Sequence, residues 1–437
     1  MARRDARHQG VLQQPARESP DHVRPEGSRQ LRAQTAGEFV ATRRLAACSN
    51  KVGARVRSFV TAASAHESVE QQPGNGLAVN DSPAAASSPV ELFVTNFHRR
   101  FTGVSATANG VVSQQRKQRP LQLVGNPLPL APKPISLWTA LRICRRPPAN
   151  RPFAIWHVRR NIEMLAGLFG RDILRLPIRL VFTSAAKRRH SFIPRALISR
   201  MDAVIATTAA AAQLVPHVAA VVPHGVDVDR FVPPQDRHQA WEKAGFPGRH
   251  GIGIVGRIRP EKGTDLFVDA MLRVLPQRPE STAIIIGRAT PGDAAFERGL
   301  KAKIQAANLT DRVRFVGEIP AGQMPALMQR LSLLVAPPRY EGFGMTPLEA
   351  MASGTAVVAS DTGAFADMIV EGKTGHVVPV GNLDALTGAI LAITKDPEQL
   401  SLAGQAARQH VVEHFALSRE AAQIDQVYQR LWNGDRF

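Results

Sequence analysis

Cysteine is scarce in this chain: there are two, Cys48 and Cys144, and no C-x-x-C pair. That argues against a disulfide framework and against a cysteine-built zinc site, and it fits a reducing compartment. Aromatic residues are also few, 5% of the chain, which leaves little material for stacking unpaired bases. No apolar run approaches the roughly 20 residues that cross a bilayer. The most alanine-rich stretch, Ala203 to Val222, is broken by Thr, Gln, Pro and His. The opening MARRDARHQG has no hydrophobic region behind it and does not read as a secretory signal. A Walker A loop is also missing.

Positive charge is what the chain has in excess. The net is +19, and its distribution is uneven. Residues 90–235 hold 21 Lys and Arg against 6 Asp and Glu, whereas residues 236–437 hold 22 of each and residues 1–89 hold 12 against 8. A surplus confined to one stretch points to a basic face for an anionic partner, such as nucleic acid, phosphorylated lipid or an acidic membrane surface. A basic surface that serves only solubility is the plainer alternative. With so few aromatics, nucleic acid is not the expected partner.

The chain falls into three parts. Residues 1–89 are rich in Arg, Ala, Gln, Ser and Pro with few periodic apolar segments, so they are expected to be disordered or a misassigned extension of the reading frame. From Val90 strand-like runs (VELFVTNF, LQLVG, FAIWHV, IRLVFTS, DAVIATT, AAVVP) alternate with helical ones (ISLWTALRIC, NIEMLAGLFG). A polar link near PPQDRHQAWEKAGFPGRH follows, and the alternation restarts at GIGIVG. The fold class is therefore α/β, with two consecutive doubly wound, Rossmann-like domains over 90–235 and 236–437. Ligands of such sheets bind beyond the carboxyl ends of the strands, and two such domains place the natural site in the cleft between them.

Two segments carry chemistry. In GIGIVGRIRPEKGTDLF a strand runs into a loop bearing Arg257 and Lys262, and a helix opens at Lys262-Gly263. Two cations beside free helix-start amides suit phosphate oxygens, although surface charge at a loop reads equally well in isolation. In YEGFGMTPLEAMASG, a Gly-Phe-Gly turn leads into an apolar helix, with Glu341 before it and Glu349 inside it. Carboxylates accept hydrogen bonds from vicinal hydroxyls such as those of ribose or a hexose. The alternative is a surface glutamate and a partner for the helix dipole. Taken together, a phosphate clamp and two hydroxyl-binding carboxylates describe a site for a sugar nucleotide.

GRIRPEKG followed by YEGFGMTPLEAMASGTAVVASDTGAFADMIVEGKTGHVVPVGNLDAL resembles the retaining glycosyltransferases of family 4, which have the GT-B fold. The E-x7-E spacing of Glu341 and Glu349 and the Arg-x4-Lys spacing of Arg257 and Lys262 both match, and PHGVDVDRF at 223–231 resembles the usual opening of the second domain. The likeness covers about 90–437. It implies that Arg257 and Lys262 hold the donor diphosphate, that Glu349 binds the ribose and that Glu341 binds the transferred sugar. Gly342, Phe343 and Gly344 would offer backbone contacts to the donor. The resemblance implies no metal and no other cofactor. Asp227-Val228-Asp229 looks like a D-x-D metal motif but falls within the linker pattern.

The first domain narrows the resemblance. VELFVTNFHRRFTGVSATA, IWHVRRNIEM and LVFTSAAKRRHSFIPRALISRMDAVIAT are similar to bacterial lipopolysaccharide-core mannosyltransferases. Those add mannose from GDP-mannose to the Kdo region of lipid A, an acceptor rich in carboxylates and phosphates. The implied acceptor-binding groups are Arg99, Arg100, His157, Arg159, Arg160, Lys187, Arg188, Arg189 and His190. Gly103 falls in the loop that the family sets near the donor phosphate. Location would be cytoplasmic, peripheral on the cytoplasmic face of the inner membrane, where basic loops meet anionic lipid. A different nucleotide sugar such as a UDP-hexose, or another anionic glycolipid, is the enzymatic alternative. A basic binding protein and a sugar phosphorylase of similar fold are the others. One departure stands out: many family members carry a histidine just after the strand LVFTSAA, where this chain has Ser184-Ala185.

Overall fold

The computed structural model describes residues 90–100 and 102–437; the expectation for residues 1–89 lies outside them. Two six-stranded sheets follow one another along the chain, and every strand pair in them is parallel. The first contains β1 (Leu92–Asn96), β2 (Leu121–Gly125), β3 (Ala154–Val158), β4 (Ile178–Ser184), β5 (Ala203–Ala206) and β6 (Val218–Val221), in the order β2-β1-β3-β4-β5-β6. The second contains β7 (His250–Val255), β8 (Ser281–Ile286), β9 (Val313–Gly317), β10 (Leu331–Ala336), β11 (Ala356–Ser360) and β12 (Gly375–Val378), in the order β12-β11-β10-β7-β8-β9. The strand order of the second sheet reverses between β7 and β10, which opens a crevice at their carboxyl ends.

Strands covered by helices on both faces read as continuous apolar runs, and β1 and β8 are buried along their whole length. The helices of the first half are α1 (Gly103–Gln115), α2 (Leu137–Ile143), α3 (Asn161–Leu168), α4 (Phe192–Ile198) and α5 (Ala209–Ala212). In the second half they are α6 (Arg237–Glu242), α7 (Thr264–Val274), α8 (Ala294–Ala306), α9 (Met324–Arg330), α10 (Met345–Ala352), α11 (Phe365–Met368), α12 (Leu383–Ile393), α13 (Pro397–His414) and α14 (Leu417–Trp432). The apolar face of α7 shows why a helix forms there. Phe267, Ala270, Met271 and Val274 recur at helical spacing and are buried, and large side chains such as Phe267 and Met271 contribute about 1.5–3 kcal/mol each. Gly263 precedes it in the left-handed region at φ 70°, where a Cβ would come within 1.9 Å of the Pro337 carbonyl oxygen.

Several elements depart from the sequence reading. The segment read as a polar link contains α6, whose Trp241 is buried. Gly103, read as part of a loop, opens helix α1, and the Thr102 side chain caps it by accepting from the Ser105 N–H. Helix α3 continues as a π turn over Phe169–Ile173. Helix α11 is confined to four residues, because Ile369 turns extended. Finally, α14 does not stay with the second sheet. Its Leu417, Ile424, Val427, Tyr428 and Leu431 share one core cluster with Leu92, Val94, Ile155 and Val181 of the first. A single boundary at 235/236 therefore does not describe the packing: the last helix completes the first domain.

Candidate active site

The two loops leaving the reversal point of the second sheet carry Lys262 and Glu341. After β7 come Gly256, Arg257 and a short 3-10 turn, Pro260–Lys262, that feeds α7. After β10 come Arg339, Tyr340 and Glu341, ahead of α10. Lys262 Nζ donates to Glu341 Oε2 at 2.5 Å, and Glu341 Oε1 accepts from the Gly342 N–H at 2.8 Å. The loops are also joined by Arg339. Its guanidinium donates to both Asp265 oxygens at 2.8 and 2.7 Å, and its backbone N–H donates to the Glu261 carbonyl. Such a bidentate pair fixes geometry as well as charge. It holds the Asp265 carboxyl below its ordinary range despite partial burial, which acts the other way.

The Gly-Phe-Gly turn is built for close approach. Gly344 has φ 91°, and a Cβ there would lie 2.1 Å from the Phe365 ring. Phe343 is buried, edge-on to His224 with ring centroids 4.8 Å apart, and its carbonyl accepts from Ala364. Gly342 is exposed, with open space where a Cβ would sit. Glu349 lies in α10, and burial pushes its carboxyl up to about 7, with the Arg230 charge acting the other way. No side-chain partner is bonded to it among the described residues. Arg257 is exposed and likewise has no bonded partner there. Lys262 paired to Glu341, and Arg257 and Glu349 without a bonded partner among the described residues, therefore lie on the loops and helix that follow β7 and β10.

The first-domain residues separate into groups. Arg99, Arg100, Arg188 and Arg189 are exposed, as is Gly103 at the start of α1, while His190 is partly buried. Lys187 spans to the second domain: its Nζ donates to Thr362 Oγ1 at 3.3 Å and sits 4.6 Å from the centroid of the Tyr340 ring. Burial lowers its pKa, while Glu341 opposes that and Lys262 adds to it. Arg160 is already engaged, donating to Glu163, Asn96, Thr102 and Ser105 at 3.0–3.2 Å. It ties the end of β3 to the start of α1.

His157 is an interior residue, and Arg159 is partly buried. His157 lies in β3, wholly buried between Tyr428 Oη at 2.5 Å and Thr183 Oγ1 at 2.7 Å, and burial keeps its pKa well below the ordinary histidine value. It joins α14 to the first sheet, so the expectation of an acceptor contact at His157 is corrected. Burial likewise lowers the pKa of Arg159. Ser184, at the family's histidine position, is buried and its hydroxyl has no partner among the described residues. Asp227 Oδ1 accepts the N–H groups of Asp229 and Arg230 and so caps a turn.

Sequence reasoning missed several residues that build the site. Arg339 and Asp265 fasten the two loops that carry Lys262 and Glu341. Glu163 accepts from Thr95, the Phe97 and Arg159 N–H groups and Arg160. Its isolation as the only acid from residue 92 to 171 was a signal in the sequence. Glu420 of α14 holds both His224 Nδ1 and the Gly225 N–H at 2.8 Å, which anchors the link behind Phe343.

Comparison with known proteins agrees with this architecture. Residues 238–410 match the family model described as glycosyl transferases group 1. Over 350 residues the chain is 46% identical to the lipopolysaccharide core biosynthesis mannosyltransferase LpcC of Rhizobium leguminosarum bv. viciae, spanning 79% of this chain and 98% of that protein. It is 41% identical over 346 residues to the similarly named LpsB of Rhizobium meliloti, spanning 78% and 98%. Among solved structures, Anabaena Alr3699/HepE in complex with UDP superposes with a TM-score of 0.63 at 19% identity, over 78% of this chain and all of that one. That likeness supports the two-domain GT-B fold. The chain belongs to the group 1 glycosyltransferases.

Proposed function

We propose that this glycosyltransferase moves mannose from GDP-mannose to the Kdo region of lipid A in assembly of the lipopolysaccharide core, with retention at the anomeric carbon, on the cytoplasmic face of the inner membrane. The observation that carries the reading is the meeting of Lys262 and Glu341 where the sheet order reverses, in a chain so similar to two proteins named as lipopolysaccharide core biosynthesis mannosyltransferases.

The chemistry follows from charge. As the bond between the anomeric carbon and the β-phosphate oxygen breaks, negative charge grows on the leaving diphosphate. Cations fixed there stabilise the transition state more than the ground state. Lys262 has three donors; one is given to Glu341 and the others are free for phosphate. Arg257 would supply the second cation. Glu341, oriented by Lys262 and the Gly342 N–H, would hold a hydroxyl of the transferred sugar and set its anomeric carbon. Glu349 would accept from the ribose hydroxyls, and the amides around Gly342 and Gly344 would line the donor. The acceptor oxygen attacks on the face the diphosphate leaves, and its proton passes to a departing phosphate oxygen. Lys187, Arg188, Arg189, Arg99 and Arg100 would meet the acceptor's carboxylates and phosphates from the first domain. With both charges supplied by side chains, no metal is required.

The test is transfer of radiolabelled sugar from a panel of GDP- and UDP-sugars to Kdo-lipid A with chelator present. Label moving only from GDP-mannose supports the reading. Transfer from a UDP-hexose would replace the donor, and nucleotide-sugar binding without transfer would discard the acceptor.

A further inference from the structure

Nine of the seventeen exposed large apolar side chains of the described residues fall between Trp138 and Ile193. They lie on α2, α3, the π turn after it, and α4. The inward residues of these segments, among them Leu141, Met164, Leu168 and Leu197, merge into one cluster against Trp156 and Phe182 of the first sheet. Segments laid over one sheet face share one outer surface. The outward residues are therefore neighbours on one face and not scattered single exposures, and a grouping of that kind marks an interaction site. Phe192 is 83% exposed, Trp138 70% and Ile173 69%.

The charge of this face narrows the partner. Residues 133–200, the span that contains this face, hold fifteen Lys and Arg and two acids, Glu163 and Asp172; Arg160 is held internally and Arg151 stacks on Trp432 across the sheet, so the face takes its charge from the rest. Glu163 is fully buried, and Asp172 is bound by Arg171 and Arg200. Among the described residues, the face thus presents cations and apolar side chains with no unpaired carboxylate. Beside α4, a groove of about 620 Å³ is lined by Arg189 and Arg195 together with Phe192, Leu214 and Val215, so one hollow offers both characters. No helix among the described residues is long and apolar enough to cross a membrane. Apolar side chains rimmed by arginine suit the interfacial layer of a bilayer with anionic headgroups.

Position links this face to the cleft. Residues 185–191 join β4 to α4, and Lys187 in that loop reaches Thr362 of the second domain. A bilayer lying against α4 would be at the mouth of the donor-side loops.

We propose that the outer face of α2, α3, the π turn and α4 docks on an anionic lipid surface, with Trp138, Ile173, Phe192 and Ile193 entering the headgroup layer and the neighbouring arginines pairing with lipid phosphates. The proposal rests on the reading of a lipid-linked acceptor, which it supplies with a route to the cleft.

The test is co-sedimentation of the full-length chain with vesicles of phosphatidylcholine alone or mixed with phosphatidylglycerol, at low and high salt. The wild type is expected to bind only the mixed vesicles and to be released by salt. F192S/I193S and, separately, W138S are each expected to weaken that binding about tenfold or more, with unchanged melting temperature and unchanged transfer to detergent-dispersed acceptor. Vesicle binding that ignores these substitutions overturns the proposal. So does a wild type that leaves mixed vesicles in the supernatant, or a face whose substitution abolishes self-association and leaves vesicle binding intact. Loss of transfer to every dispersed acceptor would instead count against the proposed reaction, and the vesicle result would still decide the docking face.

Discussion

Lys262 and Glu341 stand 79 residues apart in the chain and 2.5 Å apart in the fold, each on a loop leaving one of the two strands that flank the sheet's reversal point. Neither loop is long, and both are fastened by Arg339. The pair is therefore positioned before any substrate arrives, which is the condition under which electrostatic stabilisation costs no reorganisation during the reaction.

Lys262→Ala should lower turnover about 10²- to 10³-fold, the effect of losing one preorganised electrostatic group. Steady-state kinetics with the wild-type donor measure it. Turnover within a few-fold of wild type would place Lys262 outside the reacting centre.

Glu349→Gln should separate stability from binding. The native carboxyl keeps its proton up to about pH 7, while the unfolded chain releases it near 4.5. The native state thus binds more protons in that window, so its stability falls as pH rises from about 4.5 to 7, and the cost is fully present above 7. The amide has no such cost. Glu349→Gln should melt above the wild type at pH 8, by an amount on the order of 1–3 kcal/mol, and level with it near pH 4.5. Its donor affinity should be weaker, and in the wild type kcat/KM for the donor should rise with pH through about 7. Coincident melting curves at pH 8 would remove the burial argument.

Gly263→Ala should disrupt the start of α7 and carry Lys262 with it. The position needs φ 70° and has no room for a Cβ against Pro337. Thermal unfolding and donor binding should both be impaired; a variant with native donor affinity would show that the loop can re-form another way.

Tyr428→Phe removes the hydroxyl bonded to His157 and Gln115 in the interior. Leaving those groups unsatisfied should cost about 1–3 kcal/mol, read by urea unfolding. Donor affinity should be unchanged, because Tyr428 touches none of the donor-side residues.

Much of this was legible in the sequence because parallel strands are apolar along their length and the motif spacing is local. The E-x7-E and Arg-x4-Lys spacings marked the two loops that meet at Lys262 and Glu341, and the alternation of strands and helices marked both sheets. The losses have physical causes. Helix α6 hides in a charged segment because one buried side chain, Trp241, does most of its anchoring. Helix α1 carries glycines and serines and no strong apolar stripe. His157 read as a site candidate because a histidine at a strand end looks alike whether it faces a cleft or a returning helix. Its neighbour Tyr428 is 271 residues away, and no local pattern announces that contact. Gly251 and Gly253 sit inside β7, where a Cβ would strike Trp241 and Leu331, so both positions serve packing.

The return of α14 has a consequence for synthesis. Residues 417–432 follow everything they cover, so the face of the first sheet around Leu92, Val94, Ile155 and Val181, which Val111 and Val112 of α1 cover in part, stays incomplete while the second domain is being made. The second domain's strands and their covering helices are complete by His414 and can close as they leave the ribosome. The half of the protein translated first is thus the half finished last. Nonsense mutations or proteolytic nicks just before Leu417 would spare the donor-side fold and leave the first domain open to chaperones and proteases.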